Sequence, residues 1–174
     1  MSARRQRLAE VLQLVPVVTL ASSFIVSGAV DLSRAGPLFG VAALLTVPIT
    51  AVVVKWGRPL NPILTGTALW LWVGAVAFLV PIDALAQLLA ETQATGLFVA
   101  ALAVGAVSYT TPRGYIGADH DDPAWVRKTS AGLLVLTVLI TAWAYVFRDD
   151  IRLGGGLPFI VLNVVRRVVI ARFS

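Results

Sequence analysis

The residues in this chain with the most chemistry sit in one run, Asp119-His120-Asp121-Asp122. Carboxylates beside an imidazole are familiar ligands of a divalent cation. Asp119, His120 and Asp121 are therefore the candidate metal ligands. Consecutive residues seldom point at one centre, and Asp122 precedes Pro123, a pair suited to capping and opening a helix. The plainer reading is a solvated polar turn, with no metal held. His120 is the single histidine, and the chain has no cysteine. Thiolate nucleophiles, disulfides and cysteine metal sites are thereby excluded, and a serine–histidine pair has its only histidine in a loop. No HExxH or Walker A pattern occurs. The expectation is a protein that is not an enzyme and carries no cofactor.

The elements around that run are strongly apolar. Of 174 residues, 58% are hydrophobic and 13% charged, about half the share of roughly 25% found in soluble domains. Mean hydropathy is +0.86. Stretches free of Asp, Glu, Lys, Arg and His cover Val11–Val30, Ala35–Val54, Pro59–Ile82, Thr92–Pro112 and Thr129–Phe147. Each is close to the roughly 20 residues that a helix needs to cross the hydrocarbon of a bilayer. The sequence thus predicts an all-α polytopic transmembrane helix bundle as one integral membrane domain, 1–174. Its spans are expected at about 11–30, 35–54, 60–82, 94–112 and 126–147. A sixth segment, about 155–170, opens within Gly154-Gly155-Gly156, carries Pro158 and is interrupted by Arg166 and Arg167. It reads as a short span, a re-entrant piece or an interfacial helix.

Net charge is +5, but no basic face with interleaved aromatics suggests nucleic acid as a partner. The expected partner is the lipid bilayer, together with other membrane proteins or further copies of the chain. Arg166, Arg167 and Arg172 are the candidates for contact with lipid headgroups. Arg4, Arg5 and Arg7 precede an apolar run longer than a signal-peptide core, so the first helix is expected to stay uncleaved. Positive residues remain on the cytoplasmic side of short loops. With the N-terminus cytoplasmic, five crossings place eight Lys and Arg inside and six outside; six crossings place eleven inside and three outside. Charge favours six crossings, while segment length favours five.

Local signals refine the ends. Asn61-Pro62 can cap and open the third helix, Gly36-Pro37 the second, and Asp122-Pro123 the fifth span. Trp125, Arg127 and Lys128 suit an interfacial belt. Trp70 and Trp72 are expected to pack or to meet lipid. Small residues such as Gly66, Gly74, Gly96, Ala100, Ala101 and Gly105 allow close helix approach. No ionisable residue lies within the five long stretches, which removes the usual apparatus of proton relays and ion pumps. Their Ser and Thr hydroxyls can bond their own helix.

Several of these features together resemble the intracellular septation protein A family of small bacterial inner-membrane proteins. They are Leu12-Gln13-Leu14-Val15-Pro16, the basic turn Lys55-Trp56-Gly57-Arg58-Pro59, and Asp119–Asp122 leading into Trp125-Val126-Arg127-Lys128. The sequence departs from that pattern at Ala142-Trp143, where a polar Asn-Glu pair is expected, and at Gly154–Gly156. The resemblance implies a non-catalytic role in septation or envelope integrity, in the bacterial cytoplasmic membrane. The alternative from the residues alone is a small oligomeric permease for a neutral or weakly polar solute, with Pro48 and Pro81 kinking helices at a site.

Overall fold

The computed structural model describes residues 3–27, 32–57, 59–80 and 82–173, with side chains described outside 3–7, 10, 22–27, 32–34 and 173. Arg58 and Pro81 lie outside the described residues, as do the side chains of Arg4, Arg5 and Arg7. Among the described residues the chain is all helical. In order come α1 (Ala3–Ser27), α2 (Leu32–Lys55), α3 (Pro62–Leu79), α4 (Asp83–Thr92), α5 (Thr95–Tyr109), α6 (Pro123–Val146), a π-helical turn (Ile151–Gly156) and α7 (Leu157–Phe173).

Four segments are long and apolar enough to cross a membrane: Ala35–Lys55, Pro62–Leu79, Pro123–Val146 and Ile151–Arg172. The pair α4 and α5 qualifies when taken together across its break, and α1 contributes a shorter apolar piece, Val11–Ala21. Outward faces are apolar as well. On α2, Val41, Leu44 and Val47 are exposed; on α6, Val135, Val138 and Leu139; on α7, Ile160, Val164 and Val168. These positions recur at helical spacing, where a helix facing water would carry charge. Helices apolar on both their packed and their open faces are those of an integral membrane protein.

Two helix starts match the sequence signals. Asn61 Oδ1 accepts from the Ile63 amide at 3.1 Å, and Asp122 Oδ1 accepts from the Ala124 amide at 2.8 Å. In each case a proline occupies the first helical position, where its missing N–H is no loss. Gly36-Pro37 does not open α2, which begins at Leu32. Pro37 is the sixth residue of α2, so it lies past the first turn, where the amides have no helical partner, and removes one hydrogen bond of the helix.

Three expectations need correction. Asp83–Thr92 is a helix, α4, and not a loop. Asp83 opens it favourably against the helix dipole, and the Ala and Leu residues behind it are good helix formers. The span expected at 94–112 is the 15-residue α5, about 22 Å long at 1.5 Å per residue. It starts after Gln93, whose φ is 45°, so the α4–α5 connection turns through left-handed backbone. The sixth segment is not short. The π-helical turn runs straight into α7, giving 22 residues from Ile151 to Arg172. Asp150 starts it by accepting from the amides of Arg152 at 2.8 Å and Leu153 at 3.2 Å.

Contacts gather the chain into two compact units, one made of 1–60 with 67–91 and the other of 61–66 with 92–174. In the first, Leu20, Ala35, Phe39, Ala42, Ala43, Leu71 and Ala75 form the core. Trp70 meets Phe39 edge to face at 4.8 Å between ring centroids, a favoured aromatic geometry. Trp72 Nε1 donates to Thr46 Oγ1 at 3.1 Å, tying α3 to α2. Trp70 is thus half-buried against Phe39, whereas Trp72 stays 38% exposed beside its bond to Thr46. In the second unit Phe98, Ala101, Tyr115, Ile116, Leu133, Ile140, Ala144 and Leu162 are buried.

The second unit depends on close backbone approach. A Cβ on Gly66 would collide with the backbone of Ala101 on α5. Backbone cannot swing aside as a side chain can, so the helices would have to separate. Gly66→Val is expected to destabilise the protein by about 2 kcal/mol or more, in the range of overpacked cores. Thermal unfolding in detergent should show a lower midpoint, and an unchanged midpoint would disprove this contact.

Candidate functional site

The α5–α6 connection begins as an ordinary polar turn. Thr110 and Thr111 donate their hydroxyls to the carbonyls of Val107 and Ser108 at 2.8 and 2.7 Å. Arg113 pairs with Asp119 at 2.6 Å in the open, an exposed ion pair of small net value. Between these points the chain turns inward. Gly114, Tyr115, Ile116 and Gly117 are all buried.

Glycine makes this descent feasible. Gly114 has φ 58°, and a Cβ there would strike the Ser130 hydroxyl. Both facts exclude an L side chain. Gly105 on α5 leaves the space that the Tyr115 ring occupies, since its Cβ would lie 2.7 Å from that ring.

The buried loop is held by side chains of two helices. Ser130 Oγ accepts from the Ile116 amide at 3.2 Å. Arg166 Nε donates to the Ile116 carbonyl at 2.8 Å. Both polar groups of one peptide residue thus find partners, one on α6 and one on α7. Tyr115 reaches deeper, its hydroxyl 3.2 Å from Thr137 Oγ1. Thr137 already donates its own proton to the Leu133 carbonyl at 2.8 Å, so the Tyr115 hydroxyl is the donor of the pair. Ser130 lies two turns into α6 and Thr137 nearly four, about 10 and 21 Å along the axis.

Arg166 departs from the expectation of headgroup contact. It is only 4% exposed, and its guanidinium is turned into the protein. Arg167 and Arg172 are exposed. Sequence did contain a signal for this. Gly154, Pro158, Leu162 and Arg166 recur every fourth residue and are all buried, so Arg166 continues the inward stripe of α7. A charge on a membrane-type helix that faces the bundle is the usual mark of a residue the protein needs.

The run 119–122 does not converge. Asp119 serves Arg113, His120 Nδ1 accepts from the Asp122 amide at 3.0 Å, and Asp122 caps α6. The His120 ring stacks on Trp125 with 4.2 Å between centroids. Asp121 is exposed. Among the described residues no three His, Asp or Glu side chains are grouped to hold a metal ion. The span hydroxyls behave as expected: Thr19, Thr65 and Thr141 each bond a carbonyl of their own helix.

Two open grooves lie in this unit. One, of about 500 Å³, is bordered by Tyr109, Pro112 and Arg127 at the mouth of the connection; the other, of about 460 Å³, runs between α6 and α7. Comparison with protein-family models, with curated proteins and with solved structures gives no match.

The clamp has two measurable consequences. Arg166→Met removes the donor and strands a buried carbonyl, so a loss of about 1–3 kcal/mol is expected; Ser130→Ala, which strands the Ile116 amide, should cost about 1 kcal/mol or more. Thermal unfolding of both in detergent checks this, and wild-type midpoints would refute the clamp. Tyr115 supplies the second. Burial pushes its phenol up from 10.0 to about 12, against the opposing pull of the Thr137 hydrogen bond and of nearby Arg166. The folded state holds the proton more tightly than the unfolded state. Its contribution is complete below pH 10 and is lost as pH rises toward about 12, a decline of about 3 kcal/mol. Tyr115→Phe should flatten that decline, and parallel pH–stability curves for the two proteins would count against it.

Proposed function

We propose that this is a non-enzymatic, multi-pass protein of the bacterial cytoplasmic membrane with a structural or scaffolding role in the cell envelope. The septation-family resemblance of its basic turn, 55–59, and of the approach to α6 supports the same assignment. One observation carries the reading. Four buried polar side chains of the second unit, Ser130, Tyr115, Thr137 and Arg166, bond one another or the chain's own backbone. They are spent on fixing a loop between helices, which suits a rigid body that other membrane proteins pack against.

The same contacts support one orientation. The Arg166 bond brings the end of α7 to the α5–α6 connection. Arg113, Arg127, Lys128, Arg167 and Arg172 therefore belong to the same end of α6 and α7 as Arg166. At the opposite end Arg148 and Arg152 are matched by Asp149 and Asp150. The positive-inside rule assigns the Arg-rich end to the cytoplasm. Counting α4 with α5 as one broken span makes five crossings among the described residues, and α1, with its shorter apolar piece Val11–Ala21, would supply a sixth that leaves both termini cytoplasmic.

Three readouts in one host strain test this. Deleting the gene is expected to change cell length or increase leakage of the envelope, and complementation should restore both. Purified protein in liposomes is expected to pass none of a broad panel of neutral solutes. A cysteine at Ser174, unique in a chain without cysteines, should resist an impermeant thiol reagent in intact cells. Protein-dependent uptake would replace this reading with a permease, and outside labelling would overturn the orientation.

A further inference from the structure

We propose that the groove between α6 and α7 binds one anionic phospholipid, with an acyl chain along Gly132 and Leu136 and the phosphate on Lys128. The inference rests on the membrane reading of the helices and is independent of the envelope role. The groove's volume of about 460 Å³ falls within the roughly 300–1,000 Å³ of small-ligand sites. Val165 and Val169 of α7 form its second wall.

Gly132 is the residue that singles this groove out. A glycine inside a helix costs about 1 kcal/mol relative to alanine. At Gly66 and Gly105 close neighbours explain the missing side chain, but a Cβ on Gly132 would meet nothing within 4 Å. No protein contact requires glycine there. What its absence of side chain leaves is an open notch on the groove's floor, wide enough for a methylene chain.

The order of residues along the groove matches the order of groups in a lipid. Trp125, Lys128, Gly132 and Leu136 are spaced by three, four and four, so they share one stripe of α6. Trp125 is held by its stack on His120, and indole rings settle at the boundary between headgroups and acyl chains. Lys128 follows, exposed and in no ion pair among the described residues, which leaves its ammonium for a phosphate. Gly132 and Leu136 then continue about 12 Å below Lys128 as purely apolar surface. Charge complementarity at one end and hydrocarbon at the other specify an anionic lipid over a detached acyl chain or free phosphate.

Protein in nanodiscs of equal phosphatidylglycerol and phosphatidylcholine, released into native mass spectrometry, tests this. Wild type is expected to retain one phosphatidylglycerol in preference to phosphatidylcholine. Gly132→Leu should lose retained lipid of both kinds, because its side chain fills the notch from a position where a Cβ meets nothing within 4 Å. Lys128→Gln should keep the chain site but lose about fivefold in preference for phosphatidylglycerol. Unchanged retention in Gly132→Leu, or unchanged preference in Lys128→Gln, would overturn the proposal. A Gly132→Cys variant that forms a disulfide with a second copy in the membrane would also overturn it, by showing that protein covers the groove. Among the described residues Lys128 has no ion pair to lose, so its variant decides the matter even where Gly132→Leu folds poorly.

Discussion

A peptide group inside an apolar helix bundle must find its hydrogen-bond partners within the protein, because neither lipid tails nor leucines supply any. Ile116 is where this constraint is sharpest. It lies on a connection between helices, so no helical ladder serves it, and yet it is fully buried. Its amide goes to Ser130 and its carbonyl to Arg166. Leaving either unpaired would cost about 1–3 kcal/mol. Everything distinctive about the second unit follows from that pairing: the glycine turn at 114, the tyrosine lodged against Gly105, and the inward face of α7.

The choice of arginine at position 166 has a physical reason. A buried lysine readily sheds its proton in an apolar site, whereas a guanidinium stays charged and offers donors in a fixed plane. A carbonyl that must be held from one direction is better served by the second. The desolvation that burial imposes is large, so such a charge persists where its position is over-determined. The stripe Gly154, Pro158, Leu162 and Arg166 provides that, since three small or apolar neighbours on the same face fix how α7 can lie.

Much of this fold was legible in the sequence, because the physics of crossing hydrocarbon is one-dimensional. Charge-free runs located α2, α3 and α6 to within a few residues, and Asn61-Pro62 and Asp122-Pro123 marked helix starts through chemistry confined to adjacent residues. Errors arose where a rule about runs met a fact about faces. Arg166 and Arg167 broke an apolar run and made α7 look short, although one points inward and the other outward. Asp83 and Glu91 end charge-free runs and so read as limits of neighbouring spans, although they belong to a helix in its own right. The Tyr115 site was invisible for a different reason. Its partners Gly105, Ser130, Thr137 and Arg166 come from three helices, and nothing in their local spacing announces that they meet.

The metal-ligand reading of Asp119, His120 and Asp121 failed to find a shared centre for the same reason that the clamp succeeded. Adjacent residues diverge, and distant ones converge. Asp119, His120 and Asp122 are each drawn to a neighbour within a few positions: Arg113, the Asp122 amide, the start of α6. That local satisfaction fixes the surface half of the connection and aims Trp125 through its stack on His120. The buried half is fixed from α6 and α7. A loop pinned at both levels has little freedom to open, and a buried arginine that already holds a backbone carbonyl has little reason to change partners. Moving an ion or a proton requires partners that exchange. Holding helices in register requires partners that do not, and the bonds around Ile116 are of that second kind.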